Sequence, residues 1–184
     1  MVIRNMNEDI NLLDYIRNVP DWPKKGIQFK DITTLCQDPL AFKVAVDRIV
    51  EHYMDKGITK VAAIEARGYV FGGVIAYLLN AGFVLIRKKG KLPWQCYEAV
   101  YELEYGTDSI EMHTDAVEKG EKVLLFDDLL ATGGTAKAAA SLIEKSGADV
   151  AGVCFVIELT GSLHGRDQLT DYDILSLIEI PVEE

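Results

Sequence analysis

The segment Val123-Leu-Leu-Phe-Asp127-Asp128-Leu-Leu-Ala131-Thr132-Gly133-Gly134-Thr135-Ala136 leaves few options for the fold around it. Val123 to Phe126 is an apolar run of the kind a parallel sheet buries on both faces. Successive side chains of a strand point to opposite faces, so Asp127 and Asp128 cannot do the same job. Both are expected where the strand ends, the edge at which open α/β sheets bind ligands. Gly133 and Gly134 let the backbone approach an anion closely, and Thr132 and Thr135 flank them with hydroxyls. Ala136, Ala139, Ala140 and Ile143 then recur with helical spacing, and Gly147 is placed to end the helix. A helix N-terminus with unbonded N–H groups and nearby hydroxyls binds phosphate. The parts together describe a site for a phosphorylated sugar. Neither a Gly-x-x-x-x-Gly-Lys-Ser/Thr loop nor a Gly-x-Gly-x-x-Gly turn after a strand is present.

The rest of the chain is consistent with one such sheet. At 184 residues it can bury a sizeable core. A helix is predicted over Ile10 to Arg17, ended by the turn Pro20-Asp-Trp-Pro23. Asp38-Pro39 is a strong helix start, and Phe42, Val46, Ile49, Val50 and Tyr53 continue it as a stripe that Gly57 stops. Val61 to Ile64 and Phe83 to Ile86 read as buried strands, with Phe71, Val74, Ile75 and Leu78 as a helix face between them. Ala99 to Tyr105 and Ser109 to His113 suggest a hairpin around Gly106-Thr-Asp. Val150 to Ile157 and Tyr172 to Ile178 complete the strands. Strands alternating with helices imply an α/β fold with a mostly parallel central sheet flanked by helices and right-handed crossovers.

Charge and cysteine usage narrow the chemistry. Net charge is -10, whereas a nucleic-acid binder usually carries a basic excess or stripe. The cations are instead grouped locally, at Arg87, Lys88, Lys89 and Lys91, which suits a small polyanion. Cys36, Cys96 and Cys154 form no paired motif, so neither a disulfide framework nor a zinc site is expected and a reducing cytoplasm is. The N-terminus does not read as a signal peptide. His52, His113 and His164 are not spaced as metal ligands.

A second motif, Glu65-Ala66-Arg67-Gly68, follows the strand at Val61 to Ile64. Gly68 opens a helix, which puts Arg67 on a strand-end turn facing the same edge as Asp127. A guanidinium fork there would bind phosphate oxygens in pairs.

These residues resemble the phosphoribosyl pyrophosphate signature of the type I phosphoribosyltransferases. The continuation Leu-Leu-Ala-Thr-Gly-Gly-Thr is similar to the branch that uses adenine. The resemblance covers about Pro20 to Leu169, with its motifs in family order, and implies one domain over 1–184 with an N-terminal hood at about 1–35 and a mobile β-hairpin loop. It implies that Asp127 and Asp128 hold the ribose hydroxyls while Ala131, Thr132, Gly133, Gly134 and Thr135 wrap the 5′-phosphate. It assigns Arg67, Arg87 and Lys91 to pyrophosphate, with a non-proline cis peptide at Glu65–Ala66. The segment Arg87 to Pro93, continuing through Tyr101-Glu-Leu-Glu104-Tyr105-Gly106, looks like the family's mobile loop, which would exclude water on closing. Glu104 would then handle the purine proton.

The stretch Gly26-Ile-Gln-Phe29-Lys30-Asp31-Ile-Thr33 is similar to the family's adenine-recognising hood. There Phe29 would stack on the base and the backbone of Gln28 and Lys30 would read its edge. Lys25 and Cys96 stand where relatives often carry proline and threonine. The implied cofactor is Mg²⁺ carried mainly on the substrate, with no direct protein ligands, and the implied assembly is a homodimer. The expected reaction joins adenine to phosphoribosyl pyrophosphate, giving AMP and pyrophosphate. Three alternatives stay open on sequence: a sister enzyme for hypoxanthine, guanine or xanthine, a non-catalytic regulator of the same fold, and a pure interaction module.

Overall fold

The apolar runs become a seven-stranded sheet in the order β5 (Cys96–Glu102), β6 (Thr107–His113), β4 (Gly82–Lys88), β3 (Lys60–Ile64), β7 (Lys122–Leu130), β8 (Asp149–Gly161), β9 (Ile174–Val182), and a two-stranded ribbon of β1 (Arg17–Pro20) and β2 (Gln28–Asp31) precedes it in the chain. The computed structural model describes residues 10–102 and 106–183. The chain divides into two units, Met1–Arg48 and Ile49–Glu184.

In the first unit the helix predicted over Ile10 to Arg17 is not formed. Leu12–Tyr15 makes one 3-10 turn, capped by Asn11, whose Oδ1 accepts from the Leu13 N–H at 3.3 Å. Ile16 is already extended, and β1 (Arg17–Pro20) pairs antiparallel with β2 (Gln28–Asp31). The ribbon wins because Asp31 latches it shut. Its carboxylate accepts from Arg17 Nη2 at 2.5 Å and from the Thr33 N–H and hydroxyl, each at 2.8 Å. Burial pushes the Asp31 carboxyl up, but the Thr33 and Arg17 bonds outweigh it and hold the group below its ordinary value. A short helix, α1 (Thr33–Gln37), follows. The predicted start at Asp38-Pro39 is present: Asp38 Oδ1 accepts from the N–H groups of Leu40 at 3.0 Å and Ala41 at 2.8 Å, and α2 runs Pro39–Tyr53.

In the second unit β3 (Lys60–Ile64) leads into α3 (Gly68–Leu78) and β4 (Gly82–Lys88). The predicted hairpin is β5 (Cys96–Glu102) with β6 (Thr107–His113), joined to the edge of β4 through an antiparallel contact by β6. Then come β7 (Lys122–Leu130), α4 (Gly134–Lys145), β8 (Asp149–Gly161) and β9 (Ile174–Val182). Strands β4, β3, β7, β8 and β9 are mutually parallel. This matches the expected mostly parallel sheet, with β8 longer than predicted and β9 shifted toward the C-terminus.

Leu124, Leu125 and Phe126 are at most 1% exposed. Leu125 packs in one cluster with Ala139, Ala140 and Ile143 of α4, the predicted helix face. On the other face Phe126 stacks on Phe71 of α3, with centroids 5.6 Å apart. Each such side chain contributes roughly 1.5–3 kcal/mol by leaving water, so both layers are fixed on the strand that carries the acids.

The acids are expected where the strand ends, after Phe126, and β7 instead runs on through them to Leu130. Pairing of β7 with β3 stops at Ala63↔Phe126, whereas pairing with β8 continues to Leu130↔Glu158. The long β8 keeps the backbone of β7 bonded for that extra stretch. Asp127 and Asp128 thus project from an extended, one-sided strand end beyond the register of β3.

Candidate active site

The loop Ala131–Gly133 leaves β7 and turns at Gly133, whose φ of 83° is in the left-handed region that glycine adopts at little cost. Gly133 is the N-cap of α4; its carbonyl accepts the first helical bond from Lys137 at 2.9 Å, and no side chain caps the end. The positive end of the helix dipole therefore meets a cavity of about 180 Å³ lined by Asp127, Ala131, Thr132, Gly133 and Thr135. The sequence placed all of these residues together, and the structure does the same.

Asp127 and Asp128 divide as the strand pleat requires. Asp128 is 6% exposed, and its Oδ2 lies 2.5 Å from Arg67 Nε. The Asp128 N–H donates to Asp127 Oδ1 at 2.9 Å. Burial, and then the neighbouring Asp128 charge, push the Asp127 carboxyl well above the usual carboxylate range. The ion pair with Arg67 thus fixes Asp128 in place, and Asp127 is biased toward the neutral form. Such a pair can both accept from and donate to a vicinal diol.

Arg67 stands on the turn between β3 and α3, which contains the expected cis peptide at Glu65–Ala66. The turn is held by Glu65, whose Oε1 accepts from the Lys88 N–H at 2.7 Å and whose Oε2 accepts from Arg87 Nε at 2.9 Å. Lys91 Nζ lies 3.6 Å from Glu65 Oε1, and Arg87 Nη1 donates to the Lys91 carbonyl at 3.0 Å. Burial raises the Glu65 carboxyl, but the Lys88 and Arg87 bonds more than offset this and keep it below its ordinary value. Arg67, Arg87 and Lys91 therefore gather at one turn. A second cavity, about 220 Å³, joins that turn to the acids through Arg67, Asp127, Asp128 and Thr135.

Lys88, one of the grouped cations, and Tyr101, expected in the mobile loop, also line this second cavity. Lys88 Nζ and the Tyr101 hydroxyl both donate to Asp108 Oδ2, at 2.8 and 3.4 Å. Lys88 is adjacent in sequence to Arg87, and the strand alternation of β4 was the signal that the two would face opposite ways. Lys89 faces away, with Nζ 2.7 Å from Glu98 Oε1 on the hairpin. Glu104 lies outside the described residues.

The hood residues belong to the first unit. On β2, Gln28 and Lys30 share one face and are joined through Asn18: Asn18 Nδ2 donates to Gln28 Oε1 and Lys30 Nζ donates to Asn18 Oδ1, each at 2.8 Å. Phe29 points to the other face, edge-on to Trp22 with centroids 4.4 Å apart. In a two-stranded ribbon each strand keeps one backbone edge outside the ladder.

Comparison with known proteins shows the family. Residues 35–183 match the phosphoribosyl transferase domain. The adenine phosphoribosyltransferase of Clostridium acetobutylicum is 51% identical over 173 residues, covering 94% of this chain and all of the relative. The crystal structure of the Rhodothermus marinus adenine phosphoribosyltransferase superposes with a TM-score of 0.88 at 48% identity, over 92% of this chain and 96% of that one. The Saccharomyces cerevisiae enzyme, solved with an imino-altritol bisphosphate and adenine, gives 0.84 at 35% identity, over 90% and 96%. With a glycine loop opening a helix, paired acids and an arginine turn on one sheet edge, and with relatives at this level of identity along nearly its whole length, the chain belongs to the adenine phosphoribosyltransferase family.

Proposed function

We propose that this protein transfers the 5-phosphoribosyl group of phosphoribosyl pyrophosphate to adenine, releasing pyrophosphate and forming AMP. The observation that carries the reading is the Arg67–Asp128 pair beside the Gly133 loop, which sets a pyrophosphate-type cation next to a ribose-type acid. In the reaction the bond from the anomeric carbon to pyrophosphate oxygen breaks and the bond to adenine N9 forms. Charge develops as an oxocarbenium-like sugar and a departing anion. Arg67, Arg87 and Lys91 stabilise the anion, since cations fixed in advance act most strongly where charge appears. Asp127 and Asp128 hold the ribose hydroxyls, and Ala131 to Thr135 hold the 5′-phosphate. Glu104 accepts the proton that N9 loses. Phe29 stacks on the base while the backbone of Gln28 and Lys30 reads its edge.

Mg²⁺ would arrive on the pyrophosphate oxygens at the cavity lined by Arg67, Asp127 and Asp128, with no direct protein ligand. When bound, Mg²⁺ neutralises pyrophosphate charge. Exposed Tyr77 and Leu78 on α3, with Phe83 and Leu85 on β4, present an apolar face that supports a homodimer. Three cysteine thiols outside any disulfide suit the reducing cytoplasm.

Chromatographic detection of AMP from adenine, phosphoribosyl pyrophosphate and Mg²⁺ tests the reading. Absence of AMP with folded protein would remove it.

A further inference from the structure

Behind the phosphate loop lies a set of polar contacts that the reaction does not use. Glu158, 5% exposed, stands on β8 in register with Leu130, the last residue of β7 before the loop. Arg166 grips it with both arms: Nε donates to Oε1 at 2.9 Å and Nη2 to Oε2 at 2.5 Å. The Ser176 hydroxyl on β9 donates to Oε2 at 2.6 Å. A forked pair of this kind fixes orientation as well as distance. Arg166 belongs to the 3-10 turn Gly165–Leu169, and Leu169 at its other end is fully buried. The turn is thus pinned at both ends.

What the turn touches is the loop itself. A Cβ added at Gly165 would stand 2.2 Å from the Ala131 carbonyl oxygen, and one added at Gly133 would stand 2.3 Å from the Gly165 carbonyl oxygen. Backbone meets backbone here, so no flexible side chain can yield. Farther along the turn, Lys137 Nζ of α4 donates to Gln168 Oε1 at 3.4 Å.

We propose that the Gly165–Leu169 turn, latched by the Arg166–Glu158 pair, is a backstop that sets the shape of the phosphate loop, making Arg166 and Glu158 positioning residues for the 5′-phosphate. The inference rests on Ala131–Thr135 being the phosphate cradle. Backbone donors bind an anion well only if they are held in place beforehand, and a displacement near 1 Å can cost about 100-fold. The backstop touches the cradle of the sugar phosphate, so loosening it changes affinity for that substrate selectively.

Steady-state kinetics of Gly165→Ala, Arg166→Lys and Glu158→Gln, with calorimetric binding of ribose 5-phosphate, test this. Gly165→Ala is expected to raise KM for phosphoribosyl pyrophosphate and Kd for ribose 5-phosphate by roughly 10-fold or more. KM for adenine and kcat should stay within about 3-fold. Arg166→Lys keeps the charge but loses the fork, and Glu158→Gln keeps the shape but loses the charge; both should shift in the same direction by less. Should Gly165→Ala fail to fold, these two variants carry the test. Variants that melt earlier yet bind ribose 5-phosphate as the wild type does would overturn the proposal and leave the latch a stabilising contact. Wild-type protein that does not bind ribose 5-phosphate would remove the phosphate-cradle reading and the backstop with it, a distinct failure.

Discussion

Arg67 Nε lies 2.5 Å from Asp128 Oδ2, so a single ion pair ties the turn after β3 to the acid near the end of β7. The two elements are neighbours in the sheet, and the pair forms where their registers part, past Ala63↔Phe126. The Arg67 side chain is 40% exposed while that of Asp128 is 8% exposed. The guanidinium carries five N–H donors, enough to serve a protein carboxylate and a phosphate oxygen together.

Asp128→Ala is expected to weaken phosphoribosyl pyrophosphate binding by about 10- to 100-fold, because hydrogen bonds to a charged group are worth roughly 1.5–3 kcal/mol. Titration calorimetry reads this directly. Asp128→Asn should fall between, since it keeps the shape and loses the charge that pairs with Arg67. Unchanged affinity in both variants would separate Asp128 from the sugar site.

Glu104→Ala should lower kcat by about 100- to 10,000-fold, the usual worth of a positioned general base. Binding of adenine and of phosphoribosyl pyrophosphate should change far less. Pre-steady-state AMP formation checks this. An alanine variant with unchanged turnover would remove Glu104 from the mechanism.

The Arg166–Glu158 latch predicts a pH signature. Bonds from Arg166, and then from Ser176, hold the Glu158 carboxyl below its ordinary value despite its burial. The unfolded chain, with glutamate near its usual value of about 4.3, therefore binds the proton first. The contribution to stability is complete above that value and is lost as pH falls through the lower folded value. Melting temperatures of wild type and Glu158→Gln, followed from about pH 6 to about pH 3, should differ most at the upper end and converge at the lower. A constant difference across that range would place the stabilisation elsewhere.

How far the sequence could be read depended on how local the chemistry is. The strand–loop–helix segment was legible because strand, acids, Gly133 and helix face occupy one continuous stretch, each with its own signal. Arg67 was legible for the same reason, as a strand-end residue before Gly68. The N-terminal segment was not. Its apolar spacing suited a helix, yet Arg17–Pro20 becomes a strand because Gln28–Asp31 folds back on it and Asp31 binds Arg17, a contact that spacing cannot announce. The extent of β7 was missed likewise, since it is set by β8 running on beside it. Glu158 and Arg166 carry no motif; only the turn at Gly165 and the closeness of Gly133 give them a part.

The choice of base is the central claim and is assigned to Gln28, Phe29 and Lys30, well away in sequence from the sugar-phosphate motif. A competition assay with adenine, guanine, hypoxanthine and xanthine at equal concentration, in phosphoribosyl pyrophosphate and Mg²⁺, tests it most directly. The account predicts AMP as the dominant nucleotide, with discrimination of about 10,000-fold or more where a site reads donors and acceptors. Turnover of guanine or hypoxanthine without turnover of adenine would contradict it.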